Sequence, residues 1–357
     1  MDADLQRAPW TVRKIPPLDQ EAMTLARARQ DKLTKPPGSL GRLETLSVQL
    51  AGMTSKLSPR FQNKVVIVMA GDHGVTARGV SAYPREVTAQ MVANFLRGGA
   101  AINVLARHSG SRVVVVDIGV AADMPSHPDL VSRKVAHGTQ DFTQGPAMTR
   151  AQALQALDVG MEITDMEAAK GLDLVAPGDM GIGNTTASSA LIAAITGAPA
   201  ETVTGRGTGI SEEARRHKVR VIQSALQLHM GDMGDTFGML ARLGGLEIAG
   251  LAGVCLAAAA KRVPVVIDGL ISSAAAMVAA SIAPEAKAYF IASHRSVEPG
   301  HQVALSWLGL EPLLDLNLRL GEGTGAVLAF PIIQAAANLL GEMATFDEAG
   351  VSEASDE

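Results

Sequence analysis

The chain has 357 residues, of which 47% are hydrophobic and 19% charged, a core-forming composition that excludes a disordered protein and leaves room for one large domain or two modest ones. A net charge of −5 gives no broad positive field for nucleic acid or an anionic membrane. Only 3% of residues are aromatic, so platforms for stacking unpaired bases are few, although a local cationic pocket for one phosphate stays open.

The chain starts Met1-Asp2-Ala3-Asp4, acidic and without an apolar stretch, so no secretory signal and a cytoplasmic location are expected. Residues 18–35 read as a helix stopped by Pro36-Pro37-Gly38. Ser39 is the expected N-cap of the next helix, where Leu43, Leu46, Leu50 and Met53 follow helical spacing. The pattern then changes. Residues 65–70 form an unbroken apolar strand ending in Gly71-Asp72-His73-Gly74. A helix (85–97), a strand (113–117), a helix (150–170), a strand (172–176) and a helix (188–196) follow, then strands at 263–269 and 288–293, each leading into another helix. An apolar helical run spans 327–340, and the acidic tail from Glu342 is expected to fray. The one cysteine, Cys255, lies in an apolar run and is expected in the core; a lone cysteine excludes an intrachain disulfide and a Cys-rich zinc site. The longest strict apolar-plus-glycine run, 248–260, falls short of the ~20 residues of a membrane span.

Unbroken apolar strands are buried on both faces, and their alternation with helices implies a doubly wound α/β fold with a mostly parallel sheet and helices on both faces. Ligands in such folds bind beyond the carboxyl ends of the strands. Those ends carry Asp72, His73, Asp117, Asp179, Asp268, Ser293 and His294.

Three glycine segments stand out. Gly178-Asp179-Met180-Gly181-Ile182-Gly183-Asn184-Thr185-Thr186 follows a strand and opens a helix, a place suited to an anion or simply a tight capped turn. It is neither a dinucleotide fingerprint nor a Walker motif. Gly205-Arg206-Gly207-Thr208-Gly209 precedes a helix that carries Lys218; together they suit a phosphate monoester, while the plainer reading is a solvated lysine among Arg215, Arg216 and Arg220. Gly321-Glu322-Gly323 places a carboxylate where backbone can approach a ligand closely. Ser293-His294-Arg295-Ser296 lacks the Gly-x-Ser-x-Gly elbow of a hydrolase, and His73, His294 and His301 are too scattered for a metal motif. Tyr83 suits either the core or the face of a flat ligand.

Four segments in this order, Lys35-Pro36-Pro37-Gly38-Ser39-Leu40-Gly41-Arg42-Leu43-Glu44, Gly71-Asp72-His73-Gly74-Val75, the 178–186 segment and Leu320-Gly321-Glu322-Gly323-Thr324-Gly325-Ala326, closely resemble the nicotinate-nucleotide:dimethylbenzimidazole phosphoribosyltransferase family of cobalamin lower-loop assembly. The resemblance runs from about residue 5 to about 345. It implies transfer of 5-phosphoribose from nicotinate mononucleotide to 5,6-dimethylbenzimidazole, with no cofactor and no metal. It also implies a homodimer, an α/β catalytic domain at 61–330, and a small helical domain from residues 1–60 and 331–357. By motif, Glu322 matches the catalytic base, with Asp179 and Lys218 beside it; Asp179 departs from the family pattern, where many relatives have glutamate. Gly181, Gly183, Asn184, Gly207, Lys218, Ser296 and Gly325 match phosphate- and ribose-side positions, and Tyr83, Ile182 and Leu320 fall where the base is expected. A non-catalytic nucleotide or ribazole sensor on the same fold, and a transferase for another base, are the competing readings. Burial would raise the Glu322 pKa and a helix N-terminus would lower it, a contest the sequence leaves open.

Overall fold

Six apolar segments pair into a single all-parallel sheet in the computed structural model, which describes residues 14–352. The strands are β1 (Lys64–Gly71), β2 (Ser111–Gly119), β3 (Leu130–Ser132), β4 (Leu174–Met180), β5 (Val265–Ile267) and β6 (Phe290–Ala292). Their spatial order is β3-β2-β1-β4-β5-β6. Strand order therefore reverses between β1 and β4, and the crevice beyond their carboxyl ends is the expected ligand position. In register, Ala70 of β1 sits beside Asp117 of β2 on one side and Met180 of β4 on the other, so Asp72, Asp117 and Asp179 share one rim.

Val65 to Gly71 are all buried, as the unbroken apolar run requires. Helices cover both faces. Small residues let them approach closely: a Cβ on Gly160 of helix Arg150–Ala169 would lie 1.8 Å from the Gly250 carbonyl oxygen of helix Leu246–Ala260. Cys255 is buried in that second helix, and burial pushes its thiol up to about 12. Helix Thr324–Glu342 is long and apolar enough by length and composition to cross a membrane, a longer candidate than the 248–260 run. Its Ala326, Val327, Phe330 and Ile333 are nevertheless buried in the main core, as expected of a core helix.

Several boundaries differ from the expectation. Strand β4 continues through Met180, which places Asp179 on the strand, and the next helix starts at Asn184 because the Asn-Thr pair forms its first turn. Ser39 lies in a turn before Arg42–Thr54, whose N-cap is Gly41 with no side-chain cap. The expected strands at 263–269 and 288–293 shrink to three residues each, their flanks serving as turns. Helix Ala101–Ser109, nine residues long, and the three-residue β3 are not among the expected elements. The acidic tail is held as far as a short helix, Phe346–Ala349, capped by Thr345 and Glu348, and Thr345 bridges Leu33. Residues 353–357 of the expected frayed end lie outside the described residues. Helices Gln20–Lys32, Arg42–Thr54 and the end of Thr324–Glu342 share a separate small core of Ala22, Ala26, Val48, Ala51 and Leu340.

Candidate active site

Beyond β4, β5 and β6 the crevice opens into a cavity of about 680 Å³. Tyr83, Asp179, Gly181, Ile182, Asn184, Gly207, Ser296, Leu320 and Glu322 line it. Gly183, Lys218 and Gly325 stand behind the wall instead. The strand-end residues divide in the same way. Asp179, His294 and the Asp268 loop face the site, whereas the β1 and β2 residues are structural: His73 meets Glu247 at 2.6 Å, Asp72 accepts the Ala121 N–H, and Asp117 pairs with Lys134 at 3.1 Å.

One end of the cavity is acidic. Gly321, Glu322 and Gly323 all take left-handed backbone, with φ of 88°, 62° and 88°. Glycine accepts this freely; glutamate does so only under constraint, and such outliers concentrate at functional positions. The constraint is visible. Asp268 accepts the N–H groups of Gly323 and Ala326, at 3.2 and 3.0 Å, and so ties the loop to β5. The Glu322 carboxylate then reaches the start of helix Ala101–Ser109, where its Oε2 accepts the Ile102 N–H at 3.1 Å. Burial raises its pKa, the Ile102 N–H opposes this, and the Asp268 charge adds to the rise. Burial wins the contest, and the opposing helix is the one that the sequence did not reveal; Gly98-Gly99 before it was the available signal.

Asp179 is more deeply placed. Burial, then the Asp268 and Glu247 charges, hold its pKa well above the usual carboxylate value against one hydrogen bond from Asn184 Nδ2 at 3.0 Å. Gly181 is required because a Cβ there would lie 2.3 Å from the Gly71 carbonyl oxygen. The His294 ring packs against Gly325, with Nδ1 2.9 Å from Ser293 Oγ, which explains a glycine at 325 without direct ligand contact. His301, behind it, is pushed down to about 3 by burial and stays neutral.

The other end is cationic. Lys218 is 1% exposed, so it is no solvated surface lysine. Its Nζ donates to Thr185 Oγ1 at 2.7 Å, and Thr185 lines the cavity. Burial lowers its pKa to about 8, opposed by the Glu298 charge. The Gly205–Gly209 loop lies between: Gly207 donates its N–H to Glu298 Oε1 at 2.8 Å and accepts from Arg319 at 3.2 Å. No role was expected for Glu298 or Arg319, although each adjoins a noted segment, 293–296 and 320–326.

At the mouth, Tyr83 and Leu320 are 55% and 58% exposed, so Tyr83 is no core residue, while Ile182 is buried in the floor. The Tyr83 loop is tied across the opening by Thr208, whose Oγ1 accepts the Ala82 N–H at 3.1 Å. Among the described residues no group of three or more His, Cys, Asp or Glu has metal-holding geometry.

A family model described as phosphoribosyltransferase (DBI_PRT) matches residues 15–351. A nicotinate-nucleotide–dimethylbenzimidazole phosphoribosyltransferase from Chloroflexus aurantiacus is 63% identical over 343 residues, covering 96% of this chain and 98% of that relative. One from Geobacter sulfurreducens is 55% identical over 340 residues, covering 95% and 97%. The crystal structure of the enzyme of that name from Thermus thermophilus superposes with a TM-score of 0.90 at 48% identity, covering 94% of this chain and 100% of that one.

Proposed function

The chain belongs to the nicotinate-nucleotide–dimethylbenzimidazole phosphoribosyltransferase family, and we propose that it transfers 5-phosphoribose from nicotinate mononucleotide to 5,6-dimethylbenzimidazole with Glu322 as general base. The products are α-ribazole 5′-phosphate and nicotinate. The observation that carries the assignment of Glu322 is its buried carboxylate, held in left-handed backbone on the wall of the cavity.

The nicotinate ring nitrogen is already a pyridinium, so breaking its bond to ribose C1′ returns the electron pair to a neutral nitrogen and needs no acid. One nitrogen of the incoming benzimidazole forms the new bond to C1′ from the opposite face, which inverts the anomeric centre. Positive charge builds on the benzimidazole, and the N–H of its second nitrogen becomes acidic. Glu322 takes that proton. Its raised pKa makes it a stronger acceptor than an exposed carboxylate, and the Ile102 N–H keeps it in place. Lys218, with Gly207, Gly181, Asn184 and Ser296, takes the phosphate and ribose side, with Gly183 and Gly325 shaping the backbone behind. Tyr83, Ile182 and Leu320 hold the flat base near the mouth. Asp179, raised by burial, lies at the acidic end with Glu322 and contributes to the ribose side. Most of the remaining work is positioning. The same reading takes the active form as a cytoplasmic homodimer, and residues 1–60 with 331–357 as a small domain, for which the separate small core gives support.

The test is a product assay. Purified protein in chelator is mixed with nicotinate mononucleotide and, separately, dimethylbenzimidazole, benzimidazole, adenine or phenol, and products are separated with mass detection. Riboside phosphate and free nicotinate with dimethylbenzimidazole are expected. Turnover only with another base would move the acceptor, and nucleotide binding without product would leave a sensor.

A further inference from the structure

The Gly205–Gly209 loop is held by a residue 91 positions away in the sequence. Glu298 is 5% exposed and sits at the start of helix Pro299–Leu308. Its Oε1 accepts the Gly207 N–H at 2.8 Å, while its Oε2 is buried with no hydrogen-bond partner among the described residues. A Cβ on Gly205 would lie 2.1 Å from that Oε2, so the carboxylate lies directly against the loop backbone. On the other side of the same loop is the Lys218 ammonium: a Cβ on Gly207 would lie 3.3 Å from its Nζ. No carboxylate lies within ion-pair distance of Lys218 among the described residues; its one hydrogen bond goes to Thr185.

A buried ammonium without a countercharge sheds its proton. Arg206 and Arg215 both pair with Glu212, Arg319 is bound to the Gly207 carbonyl, and His301 is neutral. Glu298 is the group that favours the charged lysine against burial. We infer that Glu298 is a positioning residue for the phosphoryl group, fixing the Gly205–Gly209 loop through the Gly207 N–H and supplying the countercharge to the buried Lys218 ammonium. A phosphate monoester then meets a preset loop and a lysine that is charged before it arrives. The inference rests on the reading of Lys218 as the phosphate ligand.

The experiment is calorimetric titration of the full chain with nicotinate mononucleotide from pH 6.5 to 9, for wild type, Glu298→Gln, Glu298→Asp and Lys218→Gln. Binding by wild type is expected to weaken above pH 8, as Lys218 loses its proton. Glu298→Gln keeps an acceptor for Gly207 and removes the charge, so its alkaline weakening should begin lower by about one pH unit. At pH 6.5, where the lysine is charged in either protein, its Kd should stay within about two-fold of wild type. Glu298→Asp keeps the charge but shortens the reach, so it should weaken binding at every pH with the alkaline limb unmoved. Lys218→Gln should weaken binding at least about ten-fold and remove the limb. Unchanged binding in Lys218→Gln would overturn the phosphate-ligand reading itself. Weakened binding there, with identical pH profiles for wild type and Glu298→Gln, would overturn only the role of Glu298. Should Glu298→Gln not fold, the aspartate variant decides: an alkaline limb that moves with the uniform loss would refute the separation of charge from positioning.

Discussion

The two ends of the cavity are built by the same force and tuned in opposite directions. At one end burial raises the carboxyls of Asp179, Asp268 and Glu322 above their ordinary values. At the other it lowers Lys218 to about 8. Desolvation opposes whichever form is charged, so burial along a single crevice shifts acids up and a base down. The ends differ in how they are restrained. Backbone N–H groups hold the acidic end, at Ile102 on Glu322 and at Gly323 and Ala326 on Asp268. A hydroxyl, Thr185, holds the lysine. The first arrangement keeps a carboxylate ready to accept a proton, and the second leaves ammonium donors for a ligand.

Breaking the acidic end should have the largest effect. Glu322→Gln keeps shape and the acceptor for Ile102, and removes the base. Turnover should fall by about 10³-fold with folding intact and the KM for nicotinate mononucleotide little changed. In wild type the base must be deprotonated, so kcat should rise with pH through a midpoint above the ordinary 4.5 of glutamate. Steady-state kinetics across pH 4.5 to 8 check both points. Near wild-type turnover in the variant would remove Glu322 from the proton transfer.

Breaking the cationic end should act on binding instead of chemistry. Lys218→Gln should raise the KM for nicotinate mononucleotide by about 10- to 100-fold, the value of a hydrogen bond to a charged group, with a smaller change in kcat. Matching losses in kcat and kcat/KM would show instead that Lys218 acts in the transition state.

The same two ends were unequally legible in the sequence. Glu322 stood out because glycines flank it, and the sheet followed from unbroken apolar runs such as Val65 to Ala70. The glycine loops and Lys218 were equally plain as a pattern. Their supports were not. Ile102 acts through a backbone N–H, which any residue but proline supplies, Glu298 and Arg319 act across 91 and 112 residues of chain, and Asp268 was legible only by its strand-end position, not by its hold on a loop 55 residues away. A hydrogen bond of that span is set by tertiary packing and leaves no local spacing to read. The rim residues erred in the other direction. Asp72, His73 and Asp117 have the right strand-end position, yet each pairs with a neighbouring segment and none lines the cavity, so position alone did not separate site from scaffold.

Asp179 sharpens the comparison because burial and the charges of Asp268 and Glu247 push its pKa well above the usual carboxylate value. Its folded value lies well above 3.8, so between those two values the native state binds a proton that the unfolded chain has released. Stability then falls as pH rises through that window. Asp179→Asn should therefore raise the melting temperature at pH 7 by about 2 °C or more while lowering activity, with the advantage fading toward pH 4. Thermal unfolding at several pH values tests it. An asparagine variant less stable than wild type at pH 7 would mean that the Asn184 contact outweighs the burial cost.

The smallest effect belongs to the mouth, which shares neither restraint. Leu320 is 58% exposed and belongs to the loop that carries Glu322. Leu320→Ala removes little buried area in the free protein, so stability should change by less than about 0.5 kcal/mol. If a flat apolar base covers this residue, the lost contact should weaken the base by about 1 to 2 kcal/mol, or roughly 5- to 30-fold in its KM. The nucleotide KM should stay near wild type, because Lys218 and the Gly205–Gly209 loop lie at the other end of the cavity. A comparison of KM for both substrates in one preparation reads this directly. Equal increases for base and nucleotide would mean that Leu320 supports the Glu322 loop as a whole, and that the two ends of the cavity are coupled through the 317–323 segment instead of acting apart.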